Sequence, residues 1–259
     1  VESVRDPLKG RNPLEFVSRR PVLTDLTGKA RETYVREMFA HIARRYDLMN
    51  AIMTAGQDAR WRKAVIGRAQ LSPGSRLLDL GAGTGDLSAE ALRQCPQCRV
   101  TALDFTLEMM HVGRQRGVEE LDSGKVAWCS GDALQLPFPQ ESFEAVVSAF
   151  LMRNVNDVRQ ALAGQWRVLK PGGRIVILDT TPPPESLLSP LIHFHLQRVI
   201  PALGSLIAGA GEAYHYLPDS TEGFLEPEIT AVRMRAAGFQ QVAYQRLMFG
   251  TIAIHWGSK

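Results

Sequence analysis

The chain has 259 residues, of which 45% are apolar and 22% charged. That composition excludes wholesale disorder and supplies a core without staples, in one large domain or two. Net charge is +3 but lopsided, with 14 Lys and Arg against 8 Asp and Glu in residues 1–70 and 16 against 19 in the rest.

Residues 1–28 contain Pro7, Pro13, Pro21, Gly10 and Gly28 without sustained periodicity, and read as an irregular arm. They hold no apolar run suited to a secretory signal. Tyr34, Val35, Met38, Phe39 and Ile42 recur at helical spacing between Ala30 and Tyr46. A break is expected at Asp47–Asn50 and a second helix from Asp58 to Ala69. This helical region, 29–71, is basic. Such a face suits anionic lipid or nucleic acid, and equally plain solvation.

Ser72-Pro73-Gly74 is a stop signal. After it, short apolar runs at Arg76–Leu80, Arg99–Leu103, Lys125–Cys129, Phe143–Ser148 and Arg174–Leu178 alternate with helical patterns at Leu87–Arg93, Leu107–Arg116 and Val155–Leu169. The alternation predicts a parallel sheet covered on both faces. Cys95-Pro96-Gln97-Cys98 lies between a helix end and a strand, not at a helix start. With only Cys129 besides, it reads as a pair of structural thiols in a reducing compartment.

Residues 182–224 are too long for an ordinary connection and read as an insertion that covers a substrate. Leu187 to Ala210 is apolar but broken by Pro190 and Pro201, and carries His193, His195 and Arg198, so it does not suit a membrane span. Those histidines lack further ligands at suitable spacing, so no metal is expected. The tail predicts a helix over Ile229–Ala237, then strands at Gln241–Leu247 and Thr251–Trp256. Their short link, Phe249-Gly250, favours an antiparallel hairpin. The expectation is one α/β domain over 29–259, cytoplasmic, with peripheral contact at the inner face of the membrane held open.

Leu77-Leu78-Asp79-Leu80-Gly81-Ala82-Gly83-Thr84-Gly85-Asp86 is a strand, a glycine turn and a helix start. Asp104 follows Gly85 by 19 residues, at the end of the next strand, where a carboxylate receives ribose hydroxyls. A dinucleotide turn has the form G-x-G-x-x-G and holds a pyrophosphate. Here the third glycine comes one position early and Asp86 stands in its place, repelling a pyrophosphate and tolerating an ammonium. The spacing favours S-adenosyl-L-methionine. Candidate cofactor residues are Asp79, Gly81, Gly83, Thr84, Gly85, Asp104, Phe105, Asp132 and Ala133. Asp132, in Gly131-Asp132-Ala133, suits an adenine amino group, though a plain turn residue would look the same; Asp104 could equally cap a helix.

Several stretches resemble the ubiquinone/menaquinone C-methyltransferases. They are Met38-Phe39 through Ala43-Arg44-Arg45-Tyr46-Asp47-Leu48-Met49-Asn50, Trp61-Arg62, the glycine turn, Met152-Arg153-Asn154-Val155, and Leu169-Lys170-Pro171-Gly172-Gly173. Tyr214-His215-Tyr216-Leu217-Pro218-Asp219-Ser220 and the ending Phe249 to Lys259 complete the set. The resemblance covers roughly residues 35–259. It implies a class I S-adenosylmethionine-dependent methyltransferase: Rossmann-like, with a mostly parallel seven-stranded sheet and an antiparallel C-terminal hairpin. It also implies a prenylated quinol acceptor; the sequence does not distinguish naphthoquinol from benzoquinol, and demethylmenaquinol is the reading preferred. Two departures stand out. Asp179-Thr180-Thr181-Pro182-Pro183-Pro184 replaces the usual Glu-Phe-Ser-Lys/Arg-Pro, and Gln57-Asp58-Ala59 replaces basic residues before the Trp.

Carbon methylation needs alignment of acceptor and donor, and a group that stabilises the acceptor's oxyanion. Arg153 is the first choice for that group, with Asn154 orienting beside it; a structural clamp is the competing role for Arg153. Tyr214 and Tyr216 are candidates to flank the acceptor ring, with core packing as the competing role, and His215 is a candidate titratable base, with surface placement as the competing role. Competing functions are methylation of another small hydrophobic phenol, and a non-catalytic cofactor-binding subunit of a biosynthetic complex. A nucleic-acid partner is not expected, because neither a base-methylase signature nor a basic-aromatic groove is present. A homodimer is left open.

Overall fold

The computed structural model describes residues 28–54, 56–183, 198 and 224–259. Residues 1–27, and most of the 182–224 insertion with His193, His195, Tyr214, His215 and Tyr216, lie outside the described residues.

A helical collar comes first: α1 (Gly28–Ile42), a 3-10 turn (Ala43–Arg45), α2 (Tyr46–Met53) and α3 (Gln57–Ala69). The break expected at Asp47–Asn50 falls instead at 43–45. Asp47 sits in the first turn of α2, where a negative charge suits the positive helix end. Tyr46 meets Phe39 edge-on, with ring centroids 5.8 Å apart, and closes the corner.

The sheet strands are β1 (Arg76–Leu80), β2 (Arg99–Asp104), β3 (Val126–Ser130), β4 (Phe143–Ala149), β5 (Leu169–Thr180), β6 (Gln240–Leu247) and β7 (Ile252–Ser258). Helices α4 (Asp86–Gln94), α5 (Leu107–Gln115), α6 (Glu119–Asp122), α7 (Val158–Val168) and α8 (Pro227–Ala236) lie between them. Strand order is β3-β2-β1-β4-β5-β7-β6. The first five strands run parallel, and β7 is antiparallel to both neighbours, as the hairpin reading expects.

Alternation along each strand splits the core in two. Leu78, Val146, Ile175 and Ile177 face α7 and α8, with Leu162 and Met234. Leu77, Ala145, Val147, Val176 and Leu178 face α3 and α4, with Trp61, Val65 and Leu92. Both faces are apolar, so the strands read as continuous runs. β5 begins five residues earlier than expected, since Leu169 pairs with Phe143 before a register irregularity that ends at Ala145 opposite Arg174. α6 is a single turn that sequence periodicity does not mark.

Cys95 and Cys98, expected as thiols, are joined by a disulfide. A tight turn, with Cys98 N donating to Cys95 O at 3.0 Å, brings the two Cα atoms to 5.5 Å, a bridging separation. Among the described residues no helix is long and apolar enough to cross a membrane.

The chain turns from one side of β1 to the other between β3 and β4. That makes the carboxyl edge of β1 and β4 a topological switch point, where open parallel sheets bind ligands.

Candidate active site

β1 carries the glycine turn to this edge. Gly81, Gly83 and Gly85 have φ of +71°, +58° and +87°, a region costing an L side chain about 1–2 kcal/mol. The N–H groups of Gly81 and Ala82 donate to Leu103 O at 2.8 and 3.0 Å, and Gly83 N donates to Asp104 Oδ2 at 2.8 Å. The turn is thereby tied to the end of β2. A Cβ on Gly85 would fall 2.7 Å from Trp128 Cη2.

Asp104 is buried, and its Oδ1 accepts from Thr106 N at 2.7 Å. Each of its oxygens therefore holds one backbone N–H and keeps acceptor capacity. Burial pushes its carboxyl up, while the N–H groups of Thr106 and Gly83 pull it back.

A cleft partly open to solvent lies above this turn. Gly81, Gly83, Asp104 and Phe105 line it from the sheet, and Phe39 and Tyr46 from the collar. Such a set fits S-adenosyl-L-methionine. Asp104 offers lone pairs for ribose hydroxyls at the end of β2, and Phe105 and Ala133 border the same space.

Gly81, Gly83, Asp104, Phe105 and Ala133 are thus brought together as expected. Asp79, Thr84 and Gly85 do not line the cleft; they shape the turn from behind. Asp79 is 1% exposed and accepts from Ser88 Oγ on α4 at 2.7 Å. Its Oδ1 finds no partner among the described residues, and burial raises its pKa to about 7. Thr84 Oγ1 donates to Asp47 Oδ1 at 2.7 Å, fastening the collar to the turn. Asp132 is exposed and outside the lining; its Oδ1 accepts from Leu134 N at 2.8 Å, which is the turn-residue reading.

Asp86 does not await an ammonium. Arg116 lies 2.6 Å from one of its oxygens and Arg62 lies 3.0 Å from the other. Arg116 also pairs with Asp47 at 3.1 Å, and Arg62 with Asp58 at 2.7 Å. Two carboxylates from the collar, two guanidinium groups and Asp86 form one belt around the glycine turn. Among the described residues no cluster could hold a metal ion.

On the acceptor side the structure corrects the first choice. Arg153 does not line the cleft. Its guanidinium is buried against Asp179, 2.7 Å away, and its backbone N donates to the other Asp179 oxygen at 3.2 Å. Its guanidinium carbon sits 5.1 Å from the centroid of Phe150, whose ring borders the cleft. The clamp role describes these contacts. Asn154 does line the cleft, and its Nδ2 donates to Phe150 O at 2.9 Å.

Tyr46 was read only as part of a resemblance, yet it lines the cleft beside Phe39 and Val35. The signal available was the helical spacing of these three residues on a basic, otherwise exposed element. Leu151 and Met109 also border the space, and nothing local in the sequence marks them.

The family described as ubiE/COQ5 methyltransferase matches residues 27–259. A protein of Desulfotalea psychrophila named ubiquinone/menaquinone biosynthesis C-methyltransferase UbiE is 45% identical over 87% of this chain and 90% of its own length. Proteins named demethylmenaquinone methyltransferase from Deinococcus radiodurans and Thermus thermophilus are 41% and 42% identical, over 93% and 86% of this chain and 98% and 100% of their own lengths. Among solved structures, a SAM-dependent methyltransferase from Thermotoga maritima superposes with a TM-score of 0.60 at 17% identity, covering 86% of this chain and 98% of that one. The [4+2]-cyclase SpnF does so with a TM-score of 0.62 at 17% identity, covering 87% and 95%. At that identity the likeness concerns the fold alone, and a cyclase among the neighbours shows that the fold does not fix the reaction.

Proposed function

The chain belongs to the ubiE/COQ5 methyltransferase family, and from that premise we propose that it methylates a ring carbon of a prenylated quinol, with demethylmenaquinol as the acceptor. One observation carries the reading: a glycine turn tied to Asp104 at the switch point, roofed by the aromatic and aliphatic side chains of Phe39, Tyr46 and Val35. The sheet side suits a polar nucleoside, and the roof suits a flat apolar ring. The names carried by the Deinococcus and Thermus relatives support the naphthoquinol over the benzoquinol.

S-adenosyl-L-methionine supplies a sulfonium-activated methyl group. The chain's residues have to bind, align and keep out water. Orientation alone is worth about 7–11 kcal/mol of such a barrier. Asp104 would hold the ribose end and the glycine turn would set the depth, while Phe150 and Asn154 form the wall nearest the end of β4.

The departure at Asp179 bears on substrate less than its position suggests. Asp179 is 3% exposed and engaged by Arg153, behind the cleft and not in its lining. It therefore gives no reason to prefer another phenol. The apolar composition of residues 182–224 supports a role for that segment in receiving a prenyl tail. On the collar, Leu48 is 55% exposed and follows exposed Arg44 and Arg45 in the chain. An apolar side chain among cations suits the surface of an anionic membrane, where such an acceptor resides. Vesicles containing anionic lipid should sediment the protein at low salt and release it at high salt. Absence of sedimentation at low salt refutes that contact.

The function is tested by methyl transfer to reduced demethylmenaquinone, the matching benzoquinol and a phenol without a prenyl tail. The first should be methylated fastest. Transfer to the phenol alone would favour the other hydrophobic acceptors. Transfer to none, with donor binding intact, would favour a cofactor-binding subunit.

A further inference from the structure

We propose that α1 and α2 form a lid over the donor cleft, which opens about Gly56 and is latched shut by Asp47. The proposal concerns entry and exit of the donor, and holds whichever acceptor is methylated.

The collar packs as two bodies. Trp61, Val65, Ile66 and Ala69 of α3 belong to the core on one face of the sheet. Val35 and Ile42 of α1, Ala43 of the 3-10 turn and Met49 of α2 are buried too, yet they join neither core cluster. α1 and the 3-10 turn pack chiefly on α5, and α2 on α3 and the 3-10 turn, while α3 packs on β4 and β5. The first body therefore rests on helices, and the second is part of the sheet's core.

Polar groups fasten the first body at both ends. Asp47 accepts from Thr84 Oγ1 at 2.7 Å and pairs with Arg116 at 3.1 Å, pinning the start of α2 to the glycine turn and to the end of α5. At the start of α1, Asn156 Nδ2 donates to Gly28 O at 3.2 Å and to Glu32 Oε1 at 2.7 Å, and Arg31 donates to Arg153 O at 2.9 Å. The side chains of Asp47 and Arg116 are each 29% exposed, so water can take the place of either partner. Such a pair breaks and remakes far more readily than a buried apolar face separates.

Between the two bodies stands Gly56. It is exposed, its φ is +73°, and nothing lies within 4 Å of where a Cβ would stand. Hinges are a few loop positions that absorb the change in backbone angles. Val35, Phe39 and Tyr46 on the moving side wall the cleft opposite Gly81, Gly83 and Asp104. Swinging them outward uncovers the donor. Asp47 lies outside the cleft lining and is a positioning residue: its partner Thr84 belongs to the glycine turn, so the latch seats the roof on the part that holds the donor.

The test measures association and dissociation rates of S-adenosyl-L-methionine by stopped flow for wild type, Asp47→Asn and Thr84→Val. A closed lid blocks entry as well as exit, so a weaker latch speeds both. Asp47→Asn should raise each rate about five- to tenfold and leave Kd within about threefold of wild type. Thr84→Val keeps the Arg116 pair and should raise both by about threefold. A group that only shaped the donor site would change dissociation alone. Amide hydrogen exchange in Asp47→Asn should quicken across residues 28–53 and stay at the wild-type rate across 60–69. Wild-type rates in both variants, a rise in dissociation alone, or equal quickening in 60–69 would overturn the proposal. If Asp47→Asn does not fold, Thr84→Val decides on the same criteria.

Discussion

Changing Asp179 to Asn removes one charge from an ion pair whose side chains are 3% and 4% exposed and whose closest atoms are 2.7 Å apart. Asp179 also accepts from the backbone of Arg153 at 3.2 Å and of Thr180 at 2.8 Å, so the loss leaves a buried guanidinium with little compensation. Breaking a buried pair from one side typically costs about 3–5 kcal/mol, far more than an exposed pair contributes. Asp179→Asn and Arg153→Met should each fall in that range by urea denaturation at pH 7. The double variant should be less destabilised than the two losses combined by about 2 kcal/mol or more, since it leaves no unpaired charge. Single losses below about 1 kcal/mol, or strict additivity, would refute the clamp and return Arg153 to the cleft.

Three other outcomes follow from buried groups. Gly85→Ala combines a φ of +87° with a contact 2.7 Å from Trp128 and should cost about 2–4 kcal/mol, read as a lower denaturation midpoint. His255 is buried, and burial lowers its pKa to about 4. Between its unfolded value near 6.5 and about 4 only the unfolded chain takes up the proton, so stability is full above pH 6.5. It declines by about 3 kcal/mol as pH falls through that window, and His255→Gln should lack the slope. Asp79 has the opposite sign: burial raises its pKa to about 7. The fold keeps a proton that the unfolded chain releases near pH 4. Its contribution is therefore full below that pH and is lost, by up to about 4 kcal/mol, as pH rises to about 7. Asp79→Asn should remove that fall. The two slopes oppose each other in wild type, so the variants should tilt the stability profile in opposite directions; equal tilts would refute both assignments.

Strands β1, β2 and β4 were legible to within a residue or so because both faces are buried, so the apolar runs stand out against polar flanks; β3, an edge strand without a buried residue, was legible from its short run alone. The hairpin was legible from its short link. The collar's break was misplaced because Asp47 and Asn50 resemble turn residues, whereas an acid in the first turn and an amide on the buried side of α2 both suit a helix. The glycine turn and Asp104 are local signals, and they landed in the cleft. The failures are long-range. Asp86 meets Arg62 and Arg116, far from it in sequence, and Arg153 meets Asp179, 26 residues on. No periodicity announces such partners. The same holds for the disulfide, where the spacing of Cys95 and Cys98 suits a bridge or two thiols, and only the turn between them decides.

Carbon methylation of a quinol ring is the reaction to test in the cleft beneath Tyr46. Donor labelled with carbon-13 in its methyl group, incubated with the protein and reduced demethylmenaquinone, tests it most directly through the product's NMR spectrum. A labelled resonance at the shift of a methyl on ring carbon is the predicted result. A methoxy resonance, or no label in the quinol while the protein still binds the donor, would contradict it.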